Sequence, residues 1–226
     1  MLNCLRYDNK NVLCYTIFGD DMKIKSFTLG HYRSNCYIVY KNEHAIVIDP
    51  GYESDEVIQF INNNNLIIDA IYLTHGHVDH VGGVKKIKAL YNAKVYAPKK
   101  DEIWLIDSIY NHVGYPIPVD QYVHEGFRFN LDDIEFLVIE TPGHSEGGTV
   151  LYAKDASICF SGDTLFFETI GRTDLPFSNF SSIKESIEKL YEMLPDETIL
   201  YPGHGTKTTI EHEKNYNMFI KYKKQT

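Results

Sequence analysis

The sequence predicts an α+β fold: two mixed β-sheets packed face to face, with helices on the outside. Three observations lead there. β-rich runs follow one another in meandering order, joined by short polar turns. Helical stretches interrupt these runs at intervals, not after every strand, which argues against the strict alternation of a parallel sheet. The 226 residues also suffice for one domain with a full-sized core.

Residues 1 to 21 stand apart as an N-terminal extension or an extra edge strand, with Val12 to Phe18 reading as a strand. Residues 22 to 226 form the main domain, opened by a strand over Lys23 to Leu29. Cys36 to Tyr40 and Ala45 to Ile48 flank the polar turn Lys41-Asn42-Glu43-His44, a hairpin signal closed by Asp49-Pro50-Gly51. Ser54 is the N-cap candidate of a helix whose first turn carries Asp55 and Glu56. Val57, Ile58, Phe60 and Ile61 supply its apolar face, and the run Asn62 to Asn65 ends it.

Ile67 to Leu73 reads as a buried strand and Val84 to Tyr91 as a helix, with Lys85, Lys86 and Lys88 on its solvated side. A short strand over Lys94 to Ala97 and a helix from Lys100 to Tyr110 follow, then a surface loop over Asn111 to Asp120. In the second half, Gly126 to Asn130, Ile134 to Ile139, Thr149 to Ala153 and Ser157 to Ser161 read as strands. Ser181 to Leu194 is the clearest helix: Ile183, Ile187, Leu190, Tyr191 and Leu194 recur at helical spacing, and Pro195 stops it. Thr198 to Tyr201 is the last strand, and a terminal helix starts near Thr208.

Composition narrows the function. A net charge of −9 without a Lys/Arg block disfavours a general nucleic-acid binder. No apolar run approaches the ~20 residues that span a bilayer, and no secretory h-region is visible. Cys4, Cys14, Cys36 and Cys159 are irregularly spaced, as free thiols of a reducing compartment would be, so a cytoplasmic protein is expected.

Chemistry concentrates in Thr74-His75-Gly76-His77-Val78-Asp79-His80, between a strand and a helix. Imidazole and carboxylate are ligand types for zinc and other borderline divalent metals. Three more strand ends carry a metal-competent side chain beside a glycine: Gly143-His144, Gly162-Asp163 and Gly203-His204. Each alone is an ordinary turn. Together, His75, His77, Asp79, His80, His144, Asp163 and His204 exceed a closed tetrahedral zinc site and suit two metals sharing one carboxylate.

These motifs, with Asp49-Pro50-Gly51 and Gly171-Arg172-Thr173-Asp174-Leu175-Pro176, resemble the metallo-β-lactamase fold hydrolases over residues 23 to 216. Within that superfamily the chain is similar to short glyoxalase II (hydroxyacylglutathione hydrolase) members. The resemblance implies an αββα sandwich with a dimetal site at one edge of the sheets. His75, His77 and His144 would hold one metal, and Asp79, His80 and His204 the other. Asp163 would bridge them and Asp49 would orient ligands from behind. Two divalent ions are implied, zinc foremost, with iron or manganese as alternatives.

The activity implied is hydrolysis of a small-molecule thioester of the S-acylglutathione type, such as S-lactoylglutathione, by a metal-activated hydroxide. Asp79 would orient that hydroxide. Arg172 is a candidate for substrate contact or for an ion pair with Asp174. Neither nucleic acid nor membrane is an expected partner. The alternatives are a mononuclear iron persulfide dioxygenase of the same fold and a non-enzymatic metal-binding protein. Two departures stand out: the C-terminal helical extension that grips glutathione in full-length relatives is not expected here, and Glu168-Thr169-Ile170 replaces a small, glycine-containing stretch.

Overall fold

The computed structural model describes residues 22–107 and 109–221, with the backbone of 7–8, 11–12 and 16–18. Cys4, Cys14, Lys223, Lys224 and residues 13–15 of the expected N-terminal strand lie outside the described residues.

The first half builds a seven-stranded sheet. A two-residue ladder of β1 (Tyr7–Asp8) and β2 (Asn11–Val12) precedes it, and β3 (Thr16–Phe18) pairs antiparallel with β4 (Met22–Leu29) at its edge. Then come β5 (Ser34–Lys41), β6 (His44–Ile48), α1 (Asp55–Asn63), β7 (Ile67–Tyr72), α2 (Val78–Val81), α3 (Val84–Tyr91), β8 (Lys94–Pro98), α4 (Glu102–Ile106) and β9 (Gln121–Val123). The strand order is sequential from β3 to β9, antiparallel up to β6 and parallel beyond it.

The second half builds a six-stranded sheet. Its elements are β10 (Arg128–Leu131), β11 (Ile134–Glu140), β12 (Thr149–Ala153), β13 (Ile158–Gly162), the small hairpin β14 (Leu165–Phe166) and β15 (Thr169–Ile170), α5 (Phe180–Met193), β16 (Ile199–Pro202), β17 (Thr208–Thr209) and α6 (Ile210–Tyr216). Here the order is β10-β11-β12-β13-β16-β17, and only β13 and β16 run parallel.

Side-chain alternation turns these sheets into four layers. Met22, Ile24, Tyr37, Val39, Ile46 and Ile48 of the first sheet pack with Phe136, Val138, Leu151, Phe160 and Tyr201 of the second. The opposite face of the first sheet, including Cys36, Ile38 and Val47, packs on Val57, Phe60 and Ile61 of α1 and Val84 and Ile87 of α3. The second sheet turns Ile139, Val150 and Cys159 outward onto Ile183, Ile187 and Leu190 of α5. Helix, sheet, sheet and helix layers therefore stack in the order expected.

Local signals act as read. The Ser54 side chain caps α1 by accepting from Val57 N, and Asn64 closes it. Helix α5 starts one residue earlier than expected, at Phe180, because Asn179 caps it by accepting from Ser182 N. The helix expected over Lys100 to Tyr110 is much shorter. A 3₁₀ turn over Lys99–Asp101 leads into α4, which ends at Ile106. Asp107 Oδ1 accepts from the backbone N–H groups of Ile109 and Tyr110, a local turn that competes with helix continuation. Ile109 and Tyr110 are thereby released to face a cavity. Strand β9 was not legible in the sequence; the backbone of β8 recruits it. No helix among the described residues is long and apolar enough to cross a membrane.

Candidate metal centre

Five strand ends converge at one edge of the sandwich. Strand β6 delivers Asp49, β7 delivers Thr74 to His80, β11 leads to His144, β13 to Asp163 and β16 to His204. Carboxyl ends of strands are the usual location of function in α/β sheets.

All seven expected ligands meet there. Donor atoms of His75, His77 and His144 lie within 4.8 Å of one another, and so do those of Asp79, His80 and His204. Asp163 stands between the two groups. Its Oδ1 is 3.4 Å from His80 Nε2, and its Oδ2 is 3.4 Å from His144 Nε2 and 3.5 Å from His204 Nε2. His204 Nε2 is also 3.3 Å from Asp79 Oδ2, and His77 Nδ1 is 2.9 Å from His144 Nε2.

These distances fit a metal. Bonds of about 2.0–2.2 Å in tetrahedral array put neighbouring donor atoms about 3.3–3.6 Å apart. The unsatisfied atoms agree. His75 Nε2, His77 Nε2, His80 Nε2 and Asp163 Oδ1 are buried with no hydrogen-bond partner. Orphaned polar atoms in one buried cluster are costly unless a ligand satisfies them. The donor set, imidazole and carboxylate, is that of zinc and similar borderline ions.

Outer hydrogen bonds orient the donors. Asp49 accepts from Thr74 N at 2.8 Å and Thr74 Oγ1 at 2.6 Å, and its Oδ2 lies 2.9 Å from His80 Nδ1. Thr74 Oγ1 is in turn 3.0 Å from His75 Nδ1. Asp49 could itself be grouped with His75 and His80 as a ligand, but its oxygens are already engaged in this way. The Arg172 carbonyl takes His144 Nδ1 at 2.9 Å. Gly203 must be glycine: a Cβ there would overlap Asp163 Oδ1.

The charges divide the site in two. Burial, then the neighbouring imidazoles, holds His75 well below its ordinary pKa and His77 at about 3. Burial also opposes protonation of His80 and His204. There the carboxylates prevail, chiefly Asp163 with Asp49 for His80 and with Asp79 for His204, and lift them to about 9 and about 10. Against burial, the same two histidines keep Asp79 below the usual carboxylate range and Asp163 well below it. A protonated pair thus stands where two carboxylates invite a cation.

Several residues that build the site gave no sign in the sequence. Asp101 is fully buried and accepts from Gly76 N (2.9 Å), Ser145 Oγ (2.7 Å) and Gly147 N (2.6 Å), tying the His75–His77 loop to the His144 loop. Burial raises its pKa despite these bonds. Asn35 and Tyr37 of the first sheet grip the His204 loop of the second: Asn35 Nδ2 donates to the carbonyls of Pro202 and Gly205, and Tyr37 Oη to that of Pro202. Thr149 reaches back to the Thr74 carbonyl. Asp101→Ala would strand three donors, each costing about 1–3 kcal/mol when buried and unpaired. The expected result is a loss of about 3–5 kcal/mol in stability, read by denaturant unfolding, with a weaker metal affinity. An unchanged midpoint would show that the tie is dispensable.

A cavity of about 660 Å³ opens in front of the centre, with His77, Asp79, His144, Asp163 and His204 in its lining. Arg172 lines it too, while its guanidinium pairs bidentately with Asp174 at 2.6 and 2.8 Å. His112 also reaches the lining. His212 does not: it pairs with Glu168 at 3.0 Å and stacks on Phe167.

The family model described as the Metallo-beta-lactamase superfamily matches residues 29–204. This chain belongs to that superfamily. Among relatives, the "Hydroxyacylglutathione hydrolase GloC" of Haemophilus influenzae is 31% identical over 211 residues, covering 89% of this chain and 100% of that protein. Among solved structures, the BLEG-1 B3 metallo-beta-lactamase superposes with a TM-score of 0.81 at 34% identity, covering 87% of this chain and 99% of that one. TTHA1623 in a di-iron-bound form gives 0.77 at 33%, covering 87% and 100%. The superfamily's common chemistry is metal-dependent hydrolysis, and the donor set found here suits divalent metals.

Proposed function

We propose that this superfamily member is a dinuclear metallohydrolase that cleaves small-molecule thioesters of the S-acylglutathione type. The observation that carries the reading is Asp163, whose two oxygens face both donor groups in front of a cavity of small-molecule size. Its resemblance to a hydroxyacylglutathione hydrolase supports the substrate class.

His75, His77 and His144 would hold one ion, Asp79, His80 and His204 the second, with Asp163 shared. Zinc is the ion we favour, with iron or manganese as the alternatives. Bound there, such ions supply Lewis acidity and hydroxide at neutral pH. The protein's own residues do the rest. Asp79 lines the cavity, where its carboxylate would orient the attacking water. Asp49 and Thr74 keep His75 and His80 from rotating. A thiolate leaves without a strong general acid, since a free thiol has a pKa of about 8.5.

A cytoplasmic setting fits the buried, unpaired thiols of Cys36 and Cys159. The net charge of −9 fits a small-molecule substrate better than nucleic acid. The test is to quantify zinc, iron and manganese per chain in purified protein, then assay S-lactoylglutathione hydrolysis beside persulfide-dependent oxygen uptake. Two ions per chain with thioester hydrolysis is expected. One iron per chain with oxygen uptake and no hydrolysis would replace this reading by the dioxygenase.

A further inference from the structure

The cavity wall speaks to the substrate. Trp104, Ile109, Tyr110, Leu175 and Pro176 make it largely apolar, and Arg172 is the single lysine or arginine among its lining residues. That arginine is already matched by Asp174. No lysine or arginine of the lining is therefore left over to grip a charged carrier.

The aromatic part of the wall is built, not incidental. The Trp104 ring stands edge-on to His77 at 4.4 Å between centroids, which places it beside the metal centre. Tyr110 meets Trp104 at 5.5 Å, and Phe177 backs them both at 5.1 and 6.0 Å. Trp104 is only 6% exposed, yet its Nε1–H is buried without a hydrogen-bond partner. Next to it, Ile109 leaves 73% of its surface in solvent at the cavity's lining. An apolar ligand would cover Ile109.

We propose that this cavity receives the acyl half of the substrate, that the acyl group is apolar, an aliphatic chain of several carbons or an aromatic ring, and that it seats against Trp104, Ile109 and Tyr110 with the thiol carrier directed outward. The proposal rests on the thioester reading for its reaction, but its binding can be read separately. An apolar wall favours the uncharged half of a thioester, because a polar carrier would lose hydration there without gaining partners.

Trp104 is the one tryptophan of the chain, so its fluorescence reports on the wall directly. Metal-loaded protein is titrated with the uncharged amides acetamide, lactamide, hexanamide and phenylacetamide. Affinity is expected to rise about fourfold per buried methylene from acetamide to hexanamide, and lactamide to bind no better than acetamide. In parallel, kcat/KM is measured for the four matching acyl thioesters of one thiol. Tyr110→Ala should cut the hexanoyl-to-acetyl ratio about tenfold. Trp104→Phe should keep most of that ratio, whereas Trp104→Ala should lose it.

A flat affinity series, or lactoyl as the preferred acyl group, would overturn the proposal while leaving thioester hydrolysis standing. An unchanged hexanoyl-to-acetyl ratio in the Tyr110→Ala protein would overturn it as well. A rising affinity series with no thioester hydrolysed would support the apolar site and instead remove the reaction assigned above.

Discussion

An Asp163→Ala protein should bind at most one metal ion per chain and lose about 10³-fold or more in kcat/KM. Loss of an outer hydrogen-bonding partner typically costs 10–100-fold in metal affinity or activity, and Asp163 is placed among the donors themselves. Its carboxylate touches both groups, with His80 on one oxygen and His144 and His204 on the other. Removing it also takes away the carboxylate that chiefly holds His80 and His204 protonated in the metal-free protein. Metal content by elemental analysis and steady-state kinetics would be measured on protein whose circular dichroism matches the parent. Full turnover by a well-folded variant would sink the shared-ligand role.

Stripping the metal should lower the melting temperature by about 8–16 °C for each ion that had been present at 1,000 times its dissociation constant. That ligand excess corresponds to about 4.1 kcal/mol, and a chain of this size shifts by about 2–4 °C per kcal/mol. The effect should depend on pH in a definite direction. His80 and His204 have folded pKa values of about 9 and about 10, above the unfolded value of about 6.5. Their protonation therefore stabilises the metal-free protein fully below about pH 6.5, and this contribution fades as pH rises through 9 to 10.

Metal binding runs the other way, since a ligating imidazole must be neutral. Affinity at Asp79, His80 and His204 should climb between pH 6.5 and 9. His75 and His77 are already neutral across that range, so their group should not need to release protons from them. Zinc titration against a competing chelator should show one tight and one weaker ion at pH 6.5, and two tight ions at pH 9. Identical affinities at both sites and both pH values would contradict this division.

How much was legible follows from the range of the interactions. The ligand-type residues were readable because each sits in a short glycine-flanked turn after an apolar strand, a pattern within a few positions of the chain. Hairpins such as Lys41 to His44, the Ser54 cap and the face of α5 were readable for the same reason. The end of α4 was not. Its apolar residues suited a longer helix, and the competing turn at Asp107 is a side-chain choice that periodicity does not register.

By itself the sequence determined the layered α+β architecture and the seven donor-type side chains at strand ends, because side-chain period and turn chemistry are local properties. Tertiary structure alone decided which donors meet and what holds them. Asp163 falls between two groups only because β7, β11, β13 and β16 end at one edge. Asp101 joins Gly76 to Gly147, and Asn35 with Tyr37 holds the His204 loop, across separations that leave no periodic trace. The apolar wall around Trp104 likewise exists only once Ile109 and Tyr110 leave the helix and close on the cavity. Orientation of buried polar groups is settled by partners brought from elsewhere in the chain, since each unpaired group costs free energy wherever its partner lies in sequence.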